Sequence, residues 1–212
     1  AKLAGIAYIL AVVLGVVVGV VAAVNHGKWV DSVLMTISVF GISAPAFWIA
    51  IILQIVICLK FNLLPLSGID SFKSFILPGI ALGTRYAASI ARITRTSMLD
   101  VLSQDYIRTA EAKGLKGWVV TIKHALRNAL IPIITIAGSD LGNILTGSVL
   151  VESVFSIPGI GKMLVDSINT RDLPIVQGGV MYIAVICVIM YLVVDLLYTV
   201  VDPRIRLGKE SS

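Results

Sequence analysis

Long apolar stretches, separated by short polar breaks, run the length of this chain. A helix that crosses about 30 Å of hydrocarbon at about 1.5 Å per residue needs about 20 mostly apolar residues. Stretches of that kind cover residues 3–24, 33–59, 75–98, 129–151 and 178–201. The first closes on Asn25-His26-Gly27-Lys28; the second contains Pro45 and ends at Lys60-Phe61-Asn62. They are too long, and alternate too little, to be strands of a membrane barrel. The pattern predicts an all-α, polytopic helical membrane bundle of about five spans, forming one domain over residues 1–212.

Composition agrees with the pattern. Of 212 residues, 58% are apolar and 14% charged, and the mean hydropathy is +0.98. Soluble domains run at about 45–50% apolar and about 25% charged, so a typical soluble enzyme is excluded. Disorder is excluded too, because it requires low hydrophobicity and high net charge. Cys58 and Cys187 sit in or beside apolar runs, where a thiol behaves as a small hydrophobe.

The net charge of +5 lies beside the spans rather than on a polar domain, so it reads as membrane orientation and no nucleic acid is expected. Lys28, Arg92, Arg95, Arg108, Lys113, Lys116, Lys123, Arg127, Arg204, Arg206 and Lys209 fall on one side. Only Lys60, Lys73, Lys162 and Arg171 fall on the other. The positive-inside rule then puts loop 99–127 and the C-terminus in the cytoplasm, and loop 152–177 outside. Five spans would start the chain outside, which predicts a further N-terminal span upstream.

Gly15 and Gly19, like Gly138 and Gly142, lie four apart on one helix face and invite close helix contact, within the chain or in a dimer. Catalytic chemistry is not expected. Pro158-Gly159-Ile160-Gly161-Lys162-Met163 resembles the end of a phosphate-binding loop. Yet Ser156 stands where the first Gly is required, and Met163 where Ser or Thr is. His26 and His124 are far apart in sequence, so no metal or cofactor set is expected. Ser43 lacks a nucleophile elbow and an evident base. Ionisable groups inside spans are costly and face protein or water. Asp140 and Arg85 are of this kind, and Asp140 has two readings: a place on a translocation pathway, shared with Ser43 beside the Pro45 break, or a structural hydrogen bond to Ser139, Asn143 or a neighbouring helix. Arg92 and Arg95 read as snorkelling to the cytoplasmic surface.

The segment 100–127 is too patterned for a plain connection. Residues 104–113 contain no Gly or Pro and predict a short helix closed by Gly114 as its C-cap. After Gly117, Trp118, Ile122 and Ala125 recur at helical spacing, with Lys116, Lys123 and Arg127 on another face. The pattern predicts two short helices at the membrane surface, lying on anionic lipid or forming a docking surface for a cytoplasmic partner.

Here the chain resembles a known family. Asp105-Tyr106-Ile107-Arg108-Thr109-Ala110-Glu111-Ala112-Lys113-Gly114-Leu115, with Leu126-Arg127-Asn128-Ala129-Leu130-Ile131-Pro132, is similar to the cytoplasmic loop of binding-protein-dependent ABC importer permeases. The resemblance is closest to the dipeptide, oligopeptide and nickel branch. Gly41-Ile42-Ser43-Ala44-Pro45-Ala46-Phe47-Trp48, Val151-Glu152-Ser153-Val154-Phe155-Ser156-Ile157-Pro158-Gly159-Ile160-Gly161 and Asp202-Pro203-Arg204-Ile205-Arg206 match the same branch in the same order.

The resemblance implies that the loop carries a coupling helix seated in a groove of a cytoplasmic ATPase, with Arg108, Thr109, Ala110, Glu111, Ala112 and Gly114 at the contact. Thr109, Ala110 and Gly114 match the second, third and last places of the broad importer motif Glu-Ala-Ala-x-x-x-Gly. Arg108 holds the first place, and His124 and Arg127 the later Ile and Pro places, so Glu111 is not the motif's glutamate. The resemblance also implies a homologous second permease, two cytoplasmic ABC ATPase subunits, an extracytoplasmic substrate-binding protein, and a bacterial or archaeal cytoplasmic membrane. Its implied cargo is di- or oligopeptide, with nickel or a nickel chelate as the alternative. An ion-coupled carrier using Asp140 and helices broken at Pro45 and Pro132 is the reading from a different class.

Overall fold

The computed structural model describes residues 2–68, 71–146 and 149–201. Among them the elements are helical: α1 (Lys2–Val24), α2 (Trp29–Ser43), α3 (Ala46–Leu53), α4 (Ile76–Leu102), α5 (Asp105–Ala112), α6 (Gly117–Val119), α7 (Arg127–Thr146), α8 (Val149–Val154), α9 (Ile160–Asn169) and α10 (Leu173–Val201). Wider π-helical turns continue α3 over Gln54–Lys60 and join α6 to α7 over Val120–Leu126. Three described helices are long and apolar enough to cross a membrane: Lys2–Val24, Gly117–Ile144 and Leu173–Val193. The molecule is an all-α membrane bundle.

Three expectations change. The stretch 33–59 is not one straight helix: α2 and the Ala46–Lys60 helix meet at 107°. Pro45 forces Ala44 out of the helical region, to φ −77° and ψ 129°, and the chain turns there. The second half of the 99–127 loop is not a separate short helix. It runs from Gly117 straight into α7, and it passes Pro132 without a break. The stretch 75–98 belongs to α4, whose 27 residues reach about 40 Å, but its arginines and hydroxyl residues leave it outside the apolar set. Loop 152–177 contains α9 and the start of α10.

Helix α4 lies among α1, α2, α3 and α7. Its contact with α1 is parallel and close because small residues line both sides. A methyl group on Gly15 would lie 2.7 Å from the Ala87 carbonyl oxygen, and one on Gly19 would lie 2.6 Å from that of Ala91. Gly83 returns the contact, with a methyl there 2.8 Å from the Ala7 carbonyl oxygen. Where lipid is as apolar as the side chains, close approach of backbones provides the packing. The first glycine pair therefore serves contact within the chain. In the second, Gly142 receives the Tyr191 ring of α10.

Two buried clusters follow. One joins Leu3, Ala7, Leu77, Leu82, Ile144, Val151 and Phe155. The other joins Ile90 and Met98 of α4 to Ile107 and Ala110 of α5 and on to Val120, Ala125, Ala129 and Ile133. The second ties the loop to the bundle.

Candidate functional site

Helix α5 has one buried face and one open face. Ile107 is 2% exposed and Ala110 7%, while Arg108, Thr109, Glu111, Ala112 and Lys113 are exposed. The end of the helix is closed as its sequence predicts. Gly114 sits at φ +76°, its amide donates to the Glu111 carbonyl at 2.8 Å, and the Leu115 amide donates to Ala110 at 3.4 Å. This pair of bonds with a left-handed glycine is the Schellman arrangement, which satisfies carbonyls that the helix end leaves open. Thr109 Oγ1 donates to the Asp105 carbonyl at 3.0 Å. Arg108 lies 3.8 Å from Asp105 in full solvent, where such a pair contributes little.

Five of the six residues taken together from the sequence thus share the open face and turn of α5. Ala110 does not: it packs inward and anchors the helix. The expected stripe of Trp118, Ile122 and Ala125 is also split. Trp118 and Ile122 are exposed and Ala125 is fully buried, because the π-turn over Val120–Leu126 rotates the chain more slowly than an α-helix. Tyr106, Leu115, Trp118 and Ile122 are exposed, as are Arg108, Lys113, Lys116 and Lys123 of the same segment, so the segment offers both apolar and positively charged side chains.

Sequence reasoning missed the polar brace at this end of the bundle. Arg95 of α4 does not snorkel: its Nε donates to Asp31 Oδ1 at 2.6 Å and its Nη2 to Asp31 Oδ2 at 2.7 Å. The Gly27 amide donates to Oδ2 at 3.2 Å, and His26 Nδ1 stands 3.2 Å from the same oxygen. The carboxylate ties the α1–α2 turn to the half of α4 that leads into α5. The signal available in sequence was an acidic residue, Asp31, at the edge of a span.

The proposed pathway pair is not alike in its surroundings. Ser43 is exposed, and its hydroxyl donates to Val39 of its own helix at 2.9 Å. Asp140 is 8% exposed, and its Oδ2 has no hydrogen-bond partner. The nearby cation is Arg85 of α4, within electrostatic reach but not in an ion pair. Ser139 Oγ donates to the Thr135 carbonyl of its own helix at 3.3 Å.

At the opposite end, Glu152 of α8 is 8% exposed and its carboxylate accepts the Lys162 amide at 3.1 Å. It sits at the N-terminus of α9, where free amides favour a negative charge. Gly159 and Gly161 leave the space it fills: a methyl at either would overlap the carboxylate. Pro158-Gly159-Ile160-Gly161 is therefore a seat for the chain's own glutamate. The Asp202-Pro203-Arg204-Ile205-Arg206 stretch lies outside the described residues.

A helical membrane bundle with a capped surface helix between two of its long helices defines a polytopic membrane protein. Residues 15–207 match the family described as binding-protein-dependent transport system inner membrane component, and the chain belongs to that family. It is 45% identical over 198 residues to the glutathione transport system permease protein GsiC of Escherichia coli K12, a match covering 93% of this chain and 65% of that protein. GsiC of Salmonella choleraesuis matches with the same identity and coverage. The chain thus spans just under two thirds of the length of these relatives. A solved structure, titled as the crystal structure of an amino acid ABC transporter with histidines, shares the fold. Its TM-score is 0.62 at 18% identity, covering 96% of this chain and 91% of that one.

Proposed function

We propose that the chain is the membrane-spanning permease part of an ATP-driven importer of short peptides, and that α5 and its Gly114 turn dock on a partner ATPase. The observation that carries this reading is α5 itself. Its inner face is locked by Ile107 and Ala110 to Met98 of α4 and Val120 of the turn leading to α7, while its outer face is open. A force applied to that outer face is passed to two long helices at once. Such a link is what a transporter needs to switch between inward-facing and outward-facing states when its energy source lies in another subunit.

In this reading α4 is a further span, packed against α1, α2, α3 and α7. The 99–127 loop and the C-terminus lie in the cytoplasm and 152–177 outside, in a bacterial or archaeal cytoplasmic membrane. The partners are a homologous permease, two cytoplasmic ABC ATPases and an extracytoplasmic binding protein. Peptide is the favoured cargo because the relatives named above are glutathione permeases, and glutathione is a tripeptide. Ser43 and Asp140 are placed along the pathway.

The test is ATP hydrolysis and uptake in proteoliposomes that contain the full-length permease, its neighbouring permease, the ATPases and the binding protein. Short peptides are compared with nickel. ATP-dependent peptide uptake supports the reading. Uptake of nickel alone keeps the coupling and replaces the cargo, and uptake independent of ATP overturns both.

A further inference from the structure

Helix α4 carries a polar stripe that its helix neighbours do not use. Arg85, Ser89, Arg92 and Thr96 are spaced four, three and four apart, which at 3.6 residues per turn confines them to an arc of about 60°. The α1 contact is made on the other side of the helix, through Gly83, Ala87, Ile90, Ala91 and Thr94. Gly41 of α2 packs beside Thr84 and Ala88. On the stripe, Arg85, Arg92 and Thr96 are exposed and Ser89 is half-buried.

Neither Arg85 nor Arg92 forms an ion pair among the described residues. The four pairs present engage Arg95, Arg108, His26 and Lys162 instead. Asp140 is close enough to influence Arg85 but leaves the guanidinium unpaired, and it keeps its own Oδ2 free. Guanidinium groups at membrane depth do not face lipid; they face protein or a water-filled path. A guanidinium with its donors unspent is suited to a carboxylate, which it binds through two parallel charge-assisted hydrogen bonds.

Building on the permease reading above, we infer that the α4 stripe lines the path taken by the substrate, and that Arg85 receives a carboxylate of the peptide in transit. Arg92 lies two turns further along, about 10 Å away, and is the next cation on the same line. Asp140 is within electrostatic reach of Arg85 and weakens its hold, so that the carboxylate is recognised but released. The site takes peptides with a free C-terminal carboxylate in preference to those in which it is capped.

The experiment compares a tripeptide with uncharged side chains and a free C-terminus with its C-terminal amide, in the same proteoliposomes. Uptake of each is divided by its occupancy of the binding protein, measured separately, so that selection outside the membrane does not enter. The wild type is expected to favour the acid, and Arg85→Gln to lower the acid-to-amide ratio about tenfold, as loss of a charge-assisted contact implies. Arg85→Lys is expected to restore part of it. An unchanged ratio in Arg85→Gln overturns the inference. Equal loss of both peptides with reduced recovery of the assembled complex overturns it too, by assigning Arg85 to contact with the second permease. If the wild type shows no ATP-dependent peptide uptake at all, the underlying permease reading fails before the stripe is tested.

Discussion

Arg95 holds Asp31 across 64 residues of sequence through two hydrogen bonds of 2.6 and 2.7 Å, with the Asp31 side chain only 6% exposed. The pair fastens the turn between α1 and α2 to α4 just before α4 leads into α5. Any movement of α5 that reaches α4 therefore reaches α1 and α2 as well.

Removing one member of this pair leaves a charge stranded in a site with little water. Arg95→Met is expected to destabilise the protein by about 3 kcal/mol, and Asp31→Leu combined with Arg95→Met by less than either change alone. Thermal unfolding of the detergent-solubilised protein measures both. Simple addition of the two single effects would show that the residues act independently.

The α1–α4 contact makes a sharper demand. Gly15→Leu forces the α4 backbone away, at about 2 kcal/mol or more, because the nearest atoms are the Ala87 carbonyl oxygen and Ile90 Cβ. Gly5 lies on the same helix with nothing within 4 Å. Gly5→Leu is expected to leave the melting temperature unchanged, and equal sensitivity at both positions would contradict the packing described.

Glu152 and Gly159 form one unit. Gly159→Ala displaces the Glu152 carboxylate and frees the Lys162 amide, at about 1 kcal/mol. Hydrogen exchange in the first turn of α9 is expected to accelerate in Gly159→Ala and in Glu152→Ala alike. Protection that survives both substitutions would place the stability of that turn elsewhere.

At the end of α5, Gly114 has open space around it but a left-handed backbone. Gly114→Val is expected to cost about 1–2 kcal/mol locally, and Gly114→Asn less, since asparagine enters that conformation readily. In the reconstituted importer, peptide-stimulated ATP hydrolysis should fall in Gly114→Val and persist in Gly114→Asn. Ala112→Arg, on the open face, should abolish stimulation without loss of folded protein, whereas Ala110→Arg should prevent folding because Ala110 is buried.

Local pattern carried much of this fold. Helix 105–112, its glycine cap, the apolar first and last spans and the contact-making glycines of α1 depend on residues a few positions apart, so their physics is written in short windows of sequence. Pro45 marked the break in 33–59 but not its angle, because a proline removes one helical conformation without choosing what replaces it.

What the sequence by itself determined is the class of object: an apolar helical chain with one short, capped, partly charged helix set between long ones. Only the tertiary structure decided which charges are spent and which are free. Arg92 and Arg95 look alike in sequence, three residues apart on the same helix. Arg95 points at Asp31 and becomes a brace, whereas Arg92 joins Arg85 on the open stripe. Glu152 finds its glycine seat, whereas Asp140 is left with Oδ2 buried and unbonded. The physical reason is that a charge acquires its role from the groups folded against it, and these come from helices whose separation along the chain leaves no trace in any local pattern.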